Sequence, residues 1–237
     1  MVKIAIALPV PNQKIIGGYK VAYEYANYLA ENKLDISIIY NAHNGENSKG
    51  LPKVVVRLLR WITGTFGPNW IKLSPNIHRI VVSSFTNETF SGYDLVIATA
   101  TETAAYVNKA NGEKVYFVQD FEDWGRSREE VLDTYRMDMK KITVSKWLKE
   151  IIDDVSPAEA VYIPNGIDNK MFLETIPYKN RGKHTLCTLF HWDERKAFDN
   201  EEESNSKRKN CIETRTQFDA NKSKKRFYEE IISNLDH

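Results

Sequence analysis

From residue 2 to residue 168, short runs that are apolar at nearly every position alternate with segments whose apolar residues recur every three or four places. Residues 2–8 (VKIAIAL) are too short for a helix and are followed by Pro9 and Pro11. They have the composition of a strand buried on both faces. From Tyr19 the period changes: Val21, Tyr25 and Leu29 fall four apart with Ala22, Ala26 and Ala30 beside them, which is one apolar stripe of a helix. Residues 34–40 (LDISIIY), 79–83, 93–98, 114–118, 141–144 and 160–163 read as further strands. Helices are predicted over 53–63, after the threonine cluster at 99–103, and over 146–153, where Ser145 stands in the capping position. Parallel strands need crossover helices, so the alternation predicts an α/β fold with a doubly wound, mostly parallel sheet.

Ligands of such sheets gather beyond the carboxyl ends of the strands. Four polar stretches fall there: Gly17 and Gly18, Thr99 to Thr101, Gln119 to Trp124 (QDFEDW), and Ser145. Glycines between a strand and a helix N-terminus let backbone N–H groups approach an anion, and they serve equally as a tight turn. The loop is not the dinucleotide fingerprint, because no G-x-G-x-x-G is present. Asp120, Glu122 and Asp123 crowd three carboxylates at one strand end, a grouping that can raise a pKa for acid or base work or can form a solvated turn.

Composition narrows the class. A chain of 237 residues, 42% of them hydrophobic, can hold one large domain, or one domain and part of another. A net charge of +1 argues against a general nucleic-acid binder. Cys187 and Cys211 are too few for a disulfide framework or a structural zinc site, no apolar run is long enough to span a membrane, and a cytoplasmic location is expected. The predicted helix over 53–63 places Lys53, Arg57 and Arg60 on one side and Val54, Leu58, Trp61 and Ile62 around the other. Two readings stand: peripheral contact with anionic lipid at the inner face of a membrane, or an ordinary helix packing its apolar side on the sheet.

Together the Gly17-Gly18 loop, Gln119-Asp120-Phe121-Glu122 with Trp124, residues 143–148 (TVSKWL) and residues 163–168 (IPNGID) resemble the family 4 glycosyltransferases of bacteria and archaea. Within them the pattern is most similar to rhamnosyltransferase-like enzymes of surface-polysaccharide synthesis. The resemblance covers about residues 1 to 198 and implies the two-domain GT-B fold, in which the amino-terminal domain holds a glycan or lipid-linked acceptor and the carboxyl-terminal domain holds a nucleotide-diphosphate sugar. That sugar is a substrate, and no cofactor is implied. By resemblance Asp120 is the residue at the chemistry, while Gly17, Gly18, Thr101, Gln119, Glu122, Trp124, Ser145 and Asn165 line the donor or acceptor.

Residues 183–190 resemble the first strand of the donor domain, and Arg195 and Lys196 fall in the segment that holds the donor diphosphate, where positive charge stabilises the departing nucleotide. Residue 197 is Ala where the family usually has Gly. From Asp199 to Arg226 almost every residue is polar, too few being apolar to offset the entropy of ordering them. The expected organisation is therefore an acceptor-binding domain over 1–163, an interdomain crossing and the start of a truncated donor domain over 164–198, and a polar, disordered tail over 199–237 that ends in a short amphipathic helix. Phe227, Tyr228, Ile231, Ile232 and Leu235 form the stripe of that helix, which could dock on the first domain as the family's last helix does, or could belong to the product of a shifted reading frame. The activity expected of the chain by itself is weak transfer or none, the alternative being a non-catalytic acceptor-binding module completed by a separate donor-domain chain.

Overall fold

Alternating short strands and helices do appear in the computed structural model, which describes residues 1–42, 52–167 and 218–235. The strands are β1 (Lys3–Leu8), β2 (Asp35–Asn41), β3 (His78–Val82), β4 (Leu95–Ala98), β5 (Glu113–Val118), β6 (Lys140–Thr143) and β7 (Val161–Tyr162). The helices are α1 (Gly17–Glu31), α2 (Lys53–Phe66), α3 (Thr101–Val107), α4 (Arg128–Arg136), α5 (Lys146–Asp153) and α6 (Ala220–Ser233). All seven strands are parallel and lie in one sheet in the order β3-β2-β1-β4-β5-β6-β7. The fold is an α/β, Rossmann-like arrangement with helices on both faces of the sheet.

The alternation of side chains along a strand decides what covers each face. On β1 the bulky Ile4, Ile6 and Leu8 point to the face that carries Tyr25, Ala26 and Leu29 of α1. The small Ala5 and Ala7 point to the other, where Ala104 and Val107 of α3, Val131 and Tyr135 of α4, and Leu148 and Ile152 of α5 are buried. Polar α4 is absent from the hydrophobic pattern, yet Ser127 and Glu130 form a complete capping box at its start: the Ser127 hydroxyl accepts from Glu130 N at 3.2 Å and the Glu130 carboxylate accepts from Ser127 N at 2.7 Å.

The described chain divides into two units, 1–164 with 224–237, and 165–223. From Lys224 on, α6 packs within the first. Phe227 and Ile231 are fully buried, Phe227 lies against Tyr25 and Phe117, the Arg226 guanidinium donates to Tyr162 O at 2.9 Å, and Lys140 pairs with Glu230. In the second unit Ile167 forms a parallel bridge with Asp219, and a Cβ on Gly166 would stand 2.1 Å from Ala220 Cα, so no other residue fits there without displacement. The predicted strand over 183–190 lies outside the described residues.

Helix α2 departs from the ordinary packing expectation. Its buried residue is Gly64, whose absent side chain lets the helix approach Val81, Pro11 and Tyr40, the first so closely that a Cβ would lie 2.3 Å from Val81 Cγ2. The apolar side of the helix is turned away from the sheet.

Candidate functional site at the strand ends

In this strand order the chain's direction of winding reverses between β1 and β4, and the loops that follow those two strands flank the crevice where ligands of open α/β sheets sit. The loop after β1 is held by Tyr19, whose hydroxyl donates to Val10 O at 2.6 Å and accepts from Val10 N at 3.1 Å. Burial pushes that phenol's pKa up, so it stays a neutral donor. Helix α1 begins at Gly17 without a side-chain cap, since Ile16 occupies the capping position. Gly17 is exposed and Gly18 is half-buried, and the Gly18 carbonyl accepts from Gln119 Nε2 at 3.1 Å. That bond ties the start of α1 to the end of β5.

The loop after β4 is knitted by threonines. Thr99 Oγ1 donates to Ala7 O at 2.7 Å, joining the ends of β4 and β1. Thr103 Oγ1 accepts from Thr99 N at 3.0 Å and from Ala100 N at 3.1 Å, so the cap of α3 is made by a residue reaching back rather than by the residue in the capping position. Thr101 N donates to Glu122 Oε2 at 2.6 Å, and Thr101 Oγ1 lies 3.3 Å from the Tyr116 hydroxyl.

Glu122 therefore closes the rim from the β5 side. Burial is the largest influence on its carboxyl and lifts its pKa to about 7; the Thr101 amide opposes the rise, and the nearby Glu102 carboxylate adds to it. Glu102 is itself paired with Arg126 at 2.9 Å. A carboxyl group that titrates near neutrality can accept or donate a proton at working pH. Asp120 is half-buried two residues earlier, where its Oδ1 accepts from Phe121 N at 2.9 Å. The Arg128 guanidinium lies over the Phe121 ring, 5.0 Å from its centroid, a cation–π contact.

The other predicted residues are placed as follows. Trp124 is exposed beyond Asp120 and Glu122 on the same segment. Ser145 stands before α5 at the carboxyl end of β6, but it makes no cap bond: its Oγ is buried and has no hydrogen-bond partner among the described residues, as is also true of Thr143 Oγ1. Asn165 is exposed in the second unit. Arg195 and Lys196 lie outside the described residues. Gly18 with Gln119, and Thr101 with Glu122, are thus joined directly. Among the described residues no group of three or more His, Cys, Asp or Glu is placed to hold a metal ion, and no helix is long and apolar enough to cross a membrane.

Tyr19, Thr103 and the Glu102–Arg126 pair complete the rim without being marked by the strand-end pattern. Of these, Thr103 had a visible signal in the run of threonines from Thr99. The ion pair joins residues of different loops, which spacing along the chain does not reveal.

No protein-family model matches the chain, and no curated protein matches its sequence. Among solved structures, it is similar to a sucrose-phosphate synthase from Thermosynechococcus elongatus, with 12% identity and a TM-score of 0.49 over 73% of this chain and 50% of that one. It is also similar to the lipopolysaccharide outer core galactosyltransferase WaaB in its apo form, with 13% identity and a TM-score of 0.45 over 76% of this chain and 50% of that one. The chain spans about half the length of each.

Proposed function

We propose that the strand-end rim is the amino-terminal half of a glycosyltransferase site, which receives a glycan or lipid-linked acceptor for a sugar carried on a nucleoside diphosphate. The observation that carries this reading is the convergence, at the winding reversal, of the Gly17-Gly18 turn, Gln119 and the Thr101–Glu122 pair. These are the segments on which the sequence resembles family 4 glycosyltransferases of the rhamnosyltransferase-like kind, and the product would be a cell-surface polysaccharide. In this reading α1 presents uncapped N–H groups toward negative charge, Gln119 sets the position of the glycine turn, and Asp120 is the polar side chain at the reacting sugar. Trp124 and Ser145 flank the acceptor. Asn165, Arg195 and Lys196 belong to the donor side.

The chain by itself is proposed to transfer sugar weakly or not at all, because the energy that stabilises a transition state must come from donor contacts as well as acceptor contacts. A radiolabelled-sugar transfer assay tests the reading, with nucleotide-diphosphate sugars as donors and lipid-linked oligosaccharide as acceptor. Weak transfer abolished by Asp120→Asn is expected. Robust transfer that Asp120→Asn leaves unchanged would remove Asp120 from the chemistry. Acceptor binding without transfer would leave the chain a binding module that a separate donor-domain chain completes.

A further inference from the structure

An amphipathic helix on a folded domain ordinarily turns its apolar stripe inward. Helix α2 does the opposite. With about 100° between successive residues, Gly64 shares its side with Lys53, Arg57 and Arg60: Gly64 meets Val81 of the sheet, the Arg60 guanidinium donates to Ala42 O at 2.7 Å, and Lys53 and Arg57 are exposed. Val55, Leu58, Leu59, Ile62 and Phe66 fall on the far side, and Val54 and Trp61 lie between the two sides, next to Arg57. Val54 and Phe66 are each 75% exposed and Trp61 is 54% exposed. The loop after β1 also exposes apolar side chains, Ile15 at 72% and Ile16 at 39%. Gln13 fastens that loop to the end of α2, donating to Gly67 O at 3.0 Å and accepting from Asn69 N at 3.0 Å.

The charge around this face selects its occupant. Between Pro52 and Asn87 the chain carries Lys53, Arg57, Arg60, Lys72 and Arg79 and no Asp or Glu, and the loop from Pro9 to Gly18 carries Lys14 and no acid. Arg79 Nη1 lies 3.4 Å from Phe66 O, at the carboxyl end of the helix. An outward stripe of Leu, Ile and Phe flanked by Trp61 and the exposed Lys53 and Arg57 is the arrangement of a helix lying in a bilayer interface, with its apolar side chains among acyl chains and the flanking cations at lipid phosphates.

The geometry points to α2, with Ile15 and Ile16, as a docking surface for an anionic lipid bilayer. Because Gly17 directly follows Ile16, docking by this surface sets the start of α1 beside the membrane interface. This inference stands apart from the proposed glycosyl transfer, since vesicle binding is read without any turnover.

The test is sedimentation of the full chain with vesicles of phosphatidylcholine alone and of phosphatidylcholine mixed with phosphatidylglycerol. Binding to the mixed vesicles, weakened by salt and accompanied by a blue shift of tryptophan emission that Trp61→Phe diminishes, is expected. The double substitution Leu58→Ser with Phe66→Ser should lower vesicle affinity by about tenfold or more, and Lys53→Gln by about fivefold. Both side chains of the double variant are exposed, so its melting temperature should stay at the wild-type value. Three results would overturn the inference: equal binding by the double variant, a melting temperature lowered by the same substitutions, or a solution dimer that those substitutions dissociate. The second would mean that this chain covers the face, and the third that a second copy does.

Discussion

Phe227 of α6 stacks on Tyr25 of α1 with ring centroids 4.2 Å apart and planes at 20°, although the two stand near opposite ends of the chain. Phe117 closes the cluster edge-on at 5.3 Å from Phe227. Removing a ring from a fully buried three-ring contact leaves a cavity that rigid strand and helix backbones cannot fill. Phe227→Ala should therefore destabilise the domain by about 3–5 kcal/mol. Urea unfolding measures this, and a loss below about 1 kcal/mol would mean that α6 does not contribute to the core.

Glu122 makes the domain's stability depend on pH. Its carboxyl pKa is about 7 in the folded chain against 4.5 in the unfolded chain, so between those values the folded state binds more protons. Stability should fall as pH rises from about 4.5 to about 7 and level off above. Glu122→Gln keeps an oxygen for Thr101 N and has no charge to bury, so it should flatten that slope and stabilise the domain above pH 7 by about 1–3 kcal/mol. Chemical unfolding at a series of pH values checks both points.

Lys141 has the opposite sign. It is buried on β6 with its Nζ donating to Met137 O at 2.5 Å, and burial lowers its pKa from 10.5 to about 8 while Asp138 resists the change. The cost of the buried charge is fully present below pH 8, and stability should rise as pH climbs from about 8 to about 10.5. Lys141→Met should raise stability at pH 7 by about 1–3 kcal/mol. A melting temperature unchanged or lowered at pH 7 would contradict this.

Gly166 is required by close approach. Any side chain there meets Ala220, so Gly166→Ala should disturb the pairing in which Ile167 N donates to Phe218 O and Ala220 N donates to Ile167 O. Amide exchange at Ile167 and Ala220 should speed up by about tenfold or more. Unchanged exchange at those two amides would show that the segment accommodates the methyl group.

The strand pattern was legible because parallel strands buried on both faces leave apolar runs that no other element of that length produces. Helix α4 was not, since its polarity hides it: the only apolar residues on its buried side are Val131, Leu132 and Tyr135, and its signal was the Ser127–Glu130 spacing. The two faces of α2 could be read from sequence, but which face turns outward depends on Gly64 meeting Val81, a contact made across elements. At the rim, the strand-end loops were legible as polar breaks after apolar runs. The surroundings of Glu122 were not, because its partner Thr101 N belongs to another element far off in sequence. Ser145 was placed by its sequence before α5 but not by any bond, since position alone does not orient a hydroxyl.

Substrate binding at the strand-end rim is tested most directly by hydrogen–deuterium exchange of the full chain, with and without a nucleotide-diphosphate sugar and lipid-linked oligosaccharide. Slowed exchange at residues 17–19, 99–103 and 119–124 is the predicted result. Unchanged exchange in those three segments, with protection appearing at the amino ends of the strands instead, would contradict it.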